Sequence, residues 1–155
     1  MMSIADEAAA ALSADGALLA RGVSRGLAER GYACLCEFSL ANGRRADVMA
    51  LGRRGEIAIV EVKSSLADFR ADRKWPDYWD FCDRLYFAVD AGFPRALLPA
   101  DCGLMIADPF GAAILREPVE RRLGATRRRA VTLRFALAAA QRLRRLVDPG
   151  AGGVV

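Results

Sequence analysis

The spacing of hydrophobic and polar positions changes along this chain. From about residue 4 to 30, small and aliphatic side chains recur at helical spacing, with an interruption near Asp15-Gly16 and a stop at Gly31. From residue 32 the pattern turns to strands. Residues 32–40 read as a first strand, Asn42-Gly43 as a turn, and Val48-Met49-Ala50-Leu51 and Ile57-Ala58-Ile59-Val60 as two more strands joined by Gly52-Arg53-Arg54-Gly55. Together they predict an antiparallel meander, and apolar residues on both alternating faces predict strands covered on both sides. Ser65 with Asp68 three residues later resembles a capping box that starts a helix. Trp75-Pro76 interrupts that helix, and Pro76 suits the first turn of a new one. Arg84 to Asp90 reads as a further buried strand reached by a parallel crossover. Leu104–Ala107 and Ala112–Leu115 form a hairpin about Asp108-Pro109-Phe110-Gly111, and residues 125–147 form an amphipathic helix. The expectation is one domain over residues 1–148 and a flexible tail over 149–155.

Three charges break this pattern. Asp47, Glu61 and Lys63 sit in the two apolar runs of the second hairpin, where a charge costs several kcal/mol unless paired, hydrated or metal-bound. With the hairpin centred near Arg54, Asp47 falls opposite Glu61, and the two-residue period puts Lys63 on the face of Glu61. Carboxylate oxygens are the hard ligands that Mg²⁺ or Mn²⁺ prefers, and a lysine beside the metal can position the water that attacks a phosphodiester and help deprotonate it. The backbone carbonyl of Val62 could supply another ligand. The competing reading is an ion pair that only fixes strand register. Glu37, alone between Cys36 and Phe38, could join the ligands or be a structural glutamate.

Composition narrows the choice. With 155 residues, 54 % hydrophobic and 27 % charged, the chain suits one domain with a sizeable core. It has no apolar run of membrane-spanning length, and its alanine-rich start carries Asp6 and Glu7 in place of a basic leader, so a cytoplasmic location without a membrane partner is expected. Histidine is absent, which removes imidazole bases, histidine zinc sites and histidine triads together. Cysteines at 34, 36, 82 and 102 lack the spacing of a zinc ribbon and read as small buried hydrophobes. The net charge of +4 leans toward polyanions, although an alanine-, arginine- and glycine-rich chain owes part of its arginine to base composition. Position says more: Arg44 and Arg45 directly precede Asp47 and could reach phosphates. Arg53 and Arg54 read as a solvated turn. Arg127, Arg128 and Arg129 read as the solvated face of the last helix, with phosphate binding or homodimerisation as its other uses. Trp75 and Tyr78, near Lys74, are either core anchors or surfaces on which unpaired bases stack.

Asp47, a strand-length gap and then Glu61-Val62-Lys63 resembles the D…ExK signature of the PD-(D/E)XK, or restriction-endonuclease-like, nuclease superfamily. The wider stretch, with RRAD at 44–47, EVKSS at 61–65 and ADRKWPDYWDFCDRLYFAV at 71–89, resembles the MmcB-like DNA-repair family of that superfamily over roughly residues 17 to 120. The resemblance implies an α/β fold with an αβββαβ core, a mixed sheet flanked by helices, and a C-terminal hairpin and helix beyond it. It implies that Asp47, Glu61 and Lys63 are catalytic, that the carboxylates hold Mg²⁺ or Mn²⁺, and that Lys74 and Tyr78 are accessory DNA-contacting residues. The function so implied is a metal-dependent DNA-repair endonuclease, with DNA and other repair proteins as partners. One departure favours the alternative of a non-catalytic DNA-binding or scaffolding protein: many relatives place a glutamate on the first helix, where this chain has Arg21 and Arg25, with Glu29 near the helix end.

Overall fold

The computed structural model describes residues 12–150. Ser13 caps the first helix, α1 (Ala14–Glu29), by accepting from the Gly16 amide, and Gly31 ends it in a left-handed conformation. Three strands follow, β1 (Ala33–Ser39), β2 (Arg45–Leu51) and β3 (Ile57–Lys63), and then a short helix, α2 (Leu66–Ala71). A 3₁₀ segment (Trp75–Phe81) leads into β4 (Arg84–Val89), β5 (Gly103–Asp108) and β6 (Gly111–Arg116), and α3 (Ala125–Val147) closes the order. The parts of the first helical pattern and of the tail at residues 1–11 and 151–155 lie outside the described residues.

The six strands form one mixed sheet in sequence order. β1, β2 and β3 make the antiparallel meander, β3, β4 and β5 run parallel, and β5 and β6 return as a hairpin. Parallel β3 and β4 require a crossover, supplied by α2 and the 3₁₀ segment. The capping pattern at its start is present, with Ser65 Oγ accepting from the Asp68 amide at 3.0 Å. At the β5–β6 turn, Asp108 Oδ1 accepts from the amides of Phe110 and Gly111, so one side chain holds the tight reversal. Among the described residues, no helix is long and apolar enough to cross a membrane.

Each face of the sheet carries its own apolar cluster. One packs Leu19, Val23 and Leu27 of α1 on Val48, Val60, Val62 and Met105. Gly22 and Gly26 let α1 approach the β5–β6 hairpin so closely that a β-carbon at Gly22 would overlap the Asp108 carbonyl. On the other face Met49, Ile59, Leu85 and Phe87 meet the crossover aromatics and Val131 and Phe135 of α3. These two are the buried side chains of α3, few for 23 residues, so a polar contact has to help anchor it. Asp83, 2 % exposed, holds both guanidinium amines of Arg128 at 2.6 and 2.7 Å and also accepts from the amides of Ile57 and Leu123. Arg127 lies over the Phe81 ring. Arg128 is thus turned into the fold, which corrects the expectation of a simple solvated face at that position, while Arg127 and Arg129 stay exposed.

Candidate active site

The site lies where the β2–β3 pairing ends. Ladder partners run from Leu51↔Ile57 to Val48↔Val60, so continuing the register brings Asp47 opposite Glu61. Beyond Val48, side chains bridge the two strands. Asp47 Oδ2 accepts from the Val62 amide at 2.8 Å, and Glu61 Oε1 accepts from the Asp47 amide at 3.2 Å. Each carboxylate thereby satisfies a strand amide at the point where the strands part. Glu61 and Lys63 lie on the sheet face of Ile57 and Ile59, are only 3 % and 5 % exposed, and sit beside β4 through the pairs Glu61↔Phe87 and Lys63↔Val89. Asp47 is half-buried and forms the more open side of the pair.

Lys63 is held from another direction. Its Nζ lies 2.6 Å from Oδ2 of Asp72, the residue that ends α2. The other Asp72 oxygen accepts from the amides of Lys74 (2.8 Å) and Trp75 (3.2 Å). One residue therefore ends α2 through its backbone amide, while its carboxylate starts the 3₁₀ segment and fixes the ammonium.

Charge is unbalanced in this cluster. Asp47 and Glu61 stand together while the Lys63 ammonium is matched by Asp72. Burial pushes the Asp47 carboxyl up to about 6, against the lowering effects of the Val62 amide and Lys63. Burial, and then the Asp47 charge, hold the Glu61 carboxyl well above the usual carboxylate range. Burial alone would lower the Lys63 ammonium, but its bond to Asp72 and the surrounding carboxylates outweigh that and raise it. Such a site is an electron-rich oxygen pair with one firmly charged ammonium at its side.

Those donors fit a divalent cation. Among the described residues no three acidic or thiol side chains converge on one point. A cation here would take Asp47 and Glu61 from the protein and complete its shell with water or substrate oxygens, which Mg²⁺ accepts. Val62, between the Glu61 and Lys63 positions, gives its amide to Asp47 Oδ2.

The remaining candidates take different places. Glu37 faces Asp47 in the β1–β2 register, between the pairs Cys36↔Val48 and Phe38↔Ala46. It adopts φ = 50°, a left-handed conformation unusual for a non-glycine residue, and the strand switches faces there: Cys36 packs with the α1 cluster and Phe38 with the α3 cluster. The Glu37 carboxylate turns to the Leu12 amide (3.2 Å) and lies 4.0 Å from Arg45, so it does not join Asp47 and Glu61. Arg44 pairs with Asp77 at 2.6 Å. Tyr78 is 7 % exposed and donates its hydroxyl to the Arg45 carbonyl at 2.9 Å, so its ring is packed against the core and unavailable for stacking on a base. Lys74 is half-buried at the start of the 3₁₀ segment.

Asp72 is the site residue that sequence reasoning missed. With Asp68 it reads as helix-surface charge; what distinguishes it is its place where the helical pattern stops, ahead of Lys74 and Trp75, where an aspartate caps free amides.

A family model described as DNA repair protein MmcB-like matches residues 5–150. Among solved structures, a protein of unknown function from Silicibacter pomeroyi superposes with a TM-score of 0.88 at 48 % sequence identity, over 94 % of this chain and 99 % of that one. No curated protein matches the chain.

Proposed function

Because the chain belongs to the MmcB-like DNA-repair protein family, we propose that it is a metal-dependent DNA endonuclease of the restriction-endonuclease-like type, with Asp47 and Glu61 as metal ligands and Lys63 beside them. The observation that carries this reading is the pair of adjoining carboxylates whose protons are held too tightly, with one ammonium that is already matched by Asp72. A fold that leaves two carboxylates in conflict gives up stability for something a cation would restore.

A divalent cation bound by Asp47 and Glu61 would polarise the phosphate and make bound water a nucleophile near neutral pH. The chain's own groups then have separate tasks. Lys63, kept protonated by Asp72, donates hydrogen bonds to the attacking water or a phosphate oxygen; its raised proton affinity argues against use as a base. Arg44 and Arg45 stand three and two residues ahead of Asp47 and would meet the DNA backbone by exchanging carboxylate partners for phosphates.

The rival reading, a DNA-binding or scaffolding repair protein without hydrolysis, is favoured by the same Lys63–Asp72 bond, because an ammonium committed to a carboxylate is less free for substrate. End-labelled single-stranded, duplex, flap and junction DNAs incubated with the protein in Mg²⁺ or Mn²⁺ separate the two. The nuclease reading expects cleavage that drops at least about a hundredfold, roughly 2.7 kcal/mol of barrier, in both Glu61→Gln and Lys63→Ala. Wild-type binding without cutting of any DNA would transfer the case to the scaffold.

A further inference from the structure

Away from the carboxylate pair, α3 stands off the sheet and leaves a groove beside the β1–β2 end. Phe38, Leu40 and Phe81 line its floor, and Leu137 stands on its wall, 55 % exposed. Arg134 and Arg145 also line it, and no ion pair engages either of them among the described residues. From residue 125 to 147 the helix carries seven arginines and no acidic residue. An apolar channel edged by unmatched cations is thus built on a helix that keeps much of its leucine surface in water.

We propose that this groove docks an acidic, amphipathic helical segment of a partner protein, whose leucine-type face covers Leu137 and the groove floor while its carboxylates meet Arg134 and Arg145. Charge complementarity chooses this occupant. A second copy would bring the same arginine-rich, acid-free helix against itself, and like charges across an interface cost affinity. A DNA backbone would satisfy the guanidiniums but leave Leu137 and its neighbours facing charged phosphate. An acidic amphipathic helix meets both demands, in the helix-in-groove manner of peptide recognition. From Arg127 to Arg145 the groove follows α3 for about 27 Å, the length of a helix of roughly eighteen residues.

The test uses the full chain and a fluorescent peptide of about that length, with leucines on one helical face and glutamates beside them. Its control has the same composition but scatters the leucines. Fluorescence anisotropy is expected to show the patterned peptide binding at least about tenfold more tightly than the control, a gap of roughly 1.4 kcal/mol. Leu137→Ser, and separately Arg134→Glu with Arg145→Glu, are each expected to remove about that factor; these side chains are exposed, so circular dichroism and the unfolding temperature should stay at wild-type values. The proposal is overturned if the patterned peptide fails to bind, if the control binds equally, or if the folded variants bind as wild type does. It is also overturned if single-stranded or duplex oligonucleotides displace the peptide at lower concentration than unlabelled peptide does, or if sedimentation reveals a dimer that Leu137→Ser dissolves. Every readout is binding or assembly, independent of DNA cleavage.

Discussion

Two carboxylates that would separate in water are kept together at Asp47 and Glu61, and pH shows the consequence most directly. The Asp47 carboxyl holds its proton up to about 6 in the folded chain against an ordinary value of 3.8. A raised carboxylate value means that folding costs nothing extra below the ordinary value, loses ground as pH rises, and bears its full penalty above the folded value. Glu61→Gln keeps an oxygen for the Asp47 amide and removes one charge. It is expected to raise the unfolding temperature at pH 8, by about 2–4 °C for each kcal/mol relieved, with a gain that shrinks through pH 5 and vanishes below the ordinary value of 3.8. Added Mg²⁺ should stabilise the wild type at pH 8 and leave this variant almost unmoved; differential scanning fluorimetry across pH, with and without the cation, checks both. Much of this was legible in the sequence, because a charge in a doubly buried strand has few explanations and hairpin register follows from counting. Asp72 and the outward turn of Glu37 were not, since both depend on where the backbone stops being regular.

Two small contacts position whole elements. Gly22 lets α1 lie against the β5–β6 hairpin, where a β-carbon would collide with backbone and not with a flexible side chain. Gly22→Ala, which improves intrinsic helix propensity by about 1 kcal/mol, is nevertheless expected to destabilise the protein by about 2 kcal/mol through overpacking, measured as a fall in urea midpoint. At the other face, Asp83 joins β3, the segment before α3 and Arg128. Burial alone would raise the Asp83 carboxyl, but Arg128 and the two amides hold it below its ordinary value, so its stabilisation is complete at neutral pH and fades as acid carries the chain below that value. Asp83→Ala should cost about 3 kcal/mol or more, as breaking one side of a buried pair does. Hydrogen exchange should then find α3 opening before the sheet. The strands, turns and final helix were readable from period and turn residues. The way α3 is attached was not, because Arg128 has the same sequence signature as its solvated neighbour Arg129, and a distant aspartate tells them apart.

Seen whole, the molecule is a single mixed sheet covered by helices on both faces, with antiparallel strands entering it and leaving it around a parallel centre. Its strands lie in sequence order, joined by hairpin turns and by two crossovers, β3 to β4 and β4 to β5. The division of its surface does not follow from the sequence, since periodicity reports which residues are apolar and is silent on which apolar residues stay uncovered, as Leu137 does. An open sheet also has rims, and β1 is one of them. Its carbonyls at Cys36 and Glu37 accept from Arg142 at 2.6 and 2.9 Å, beside the left-handed bend at Glu37. A rim that is bent and whose carbonyls are already occupied makes a poor template for an incoming strand. The last helix therefore also acts as a guard against polymerisation: without the Arg142 guanidinium, the margin beside the carboxylate pair would offer two vacant acceptors to any extended chain, and the first sign of its loss would be fibrillar self-association of a protein that is still folded.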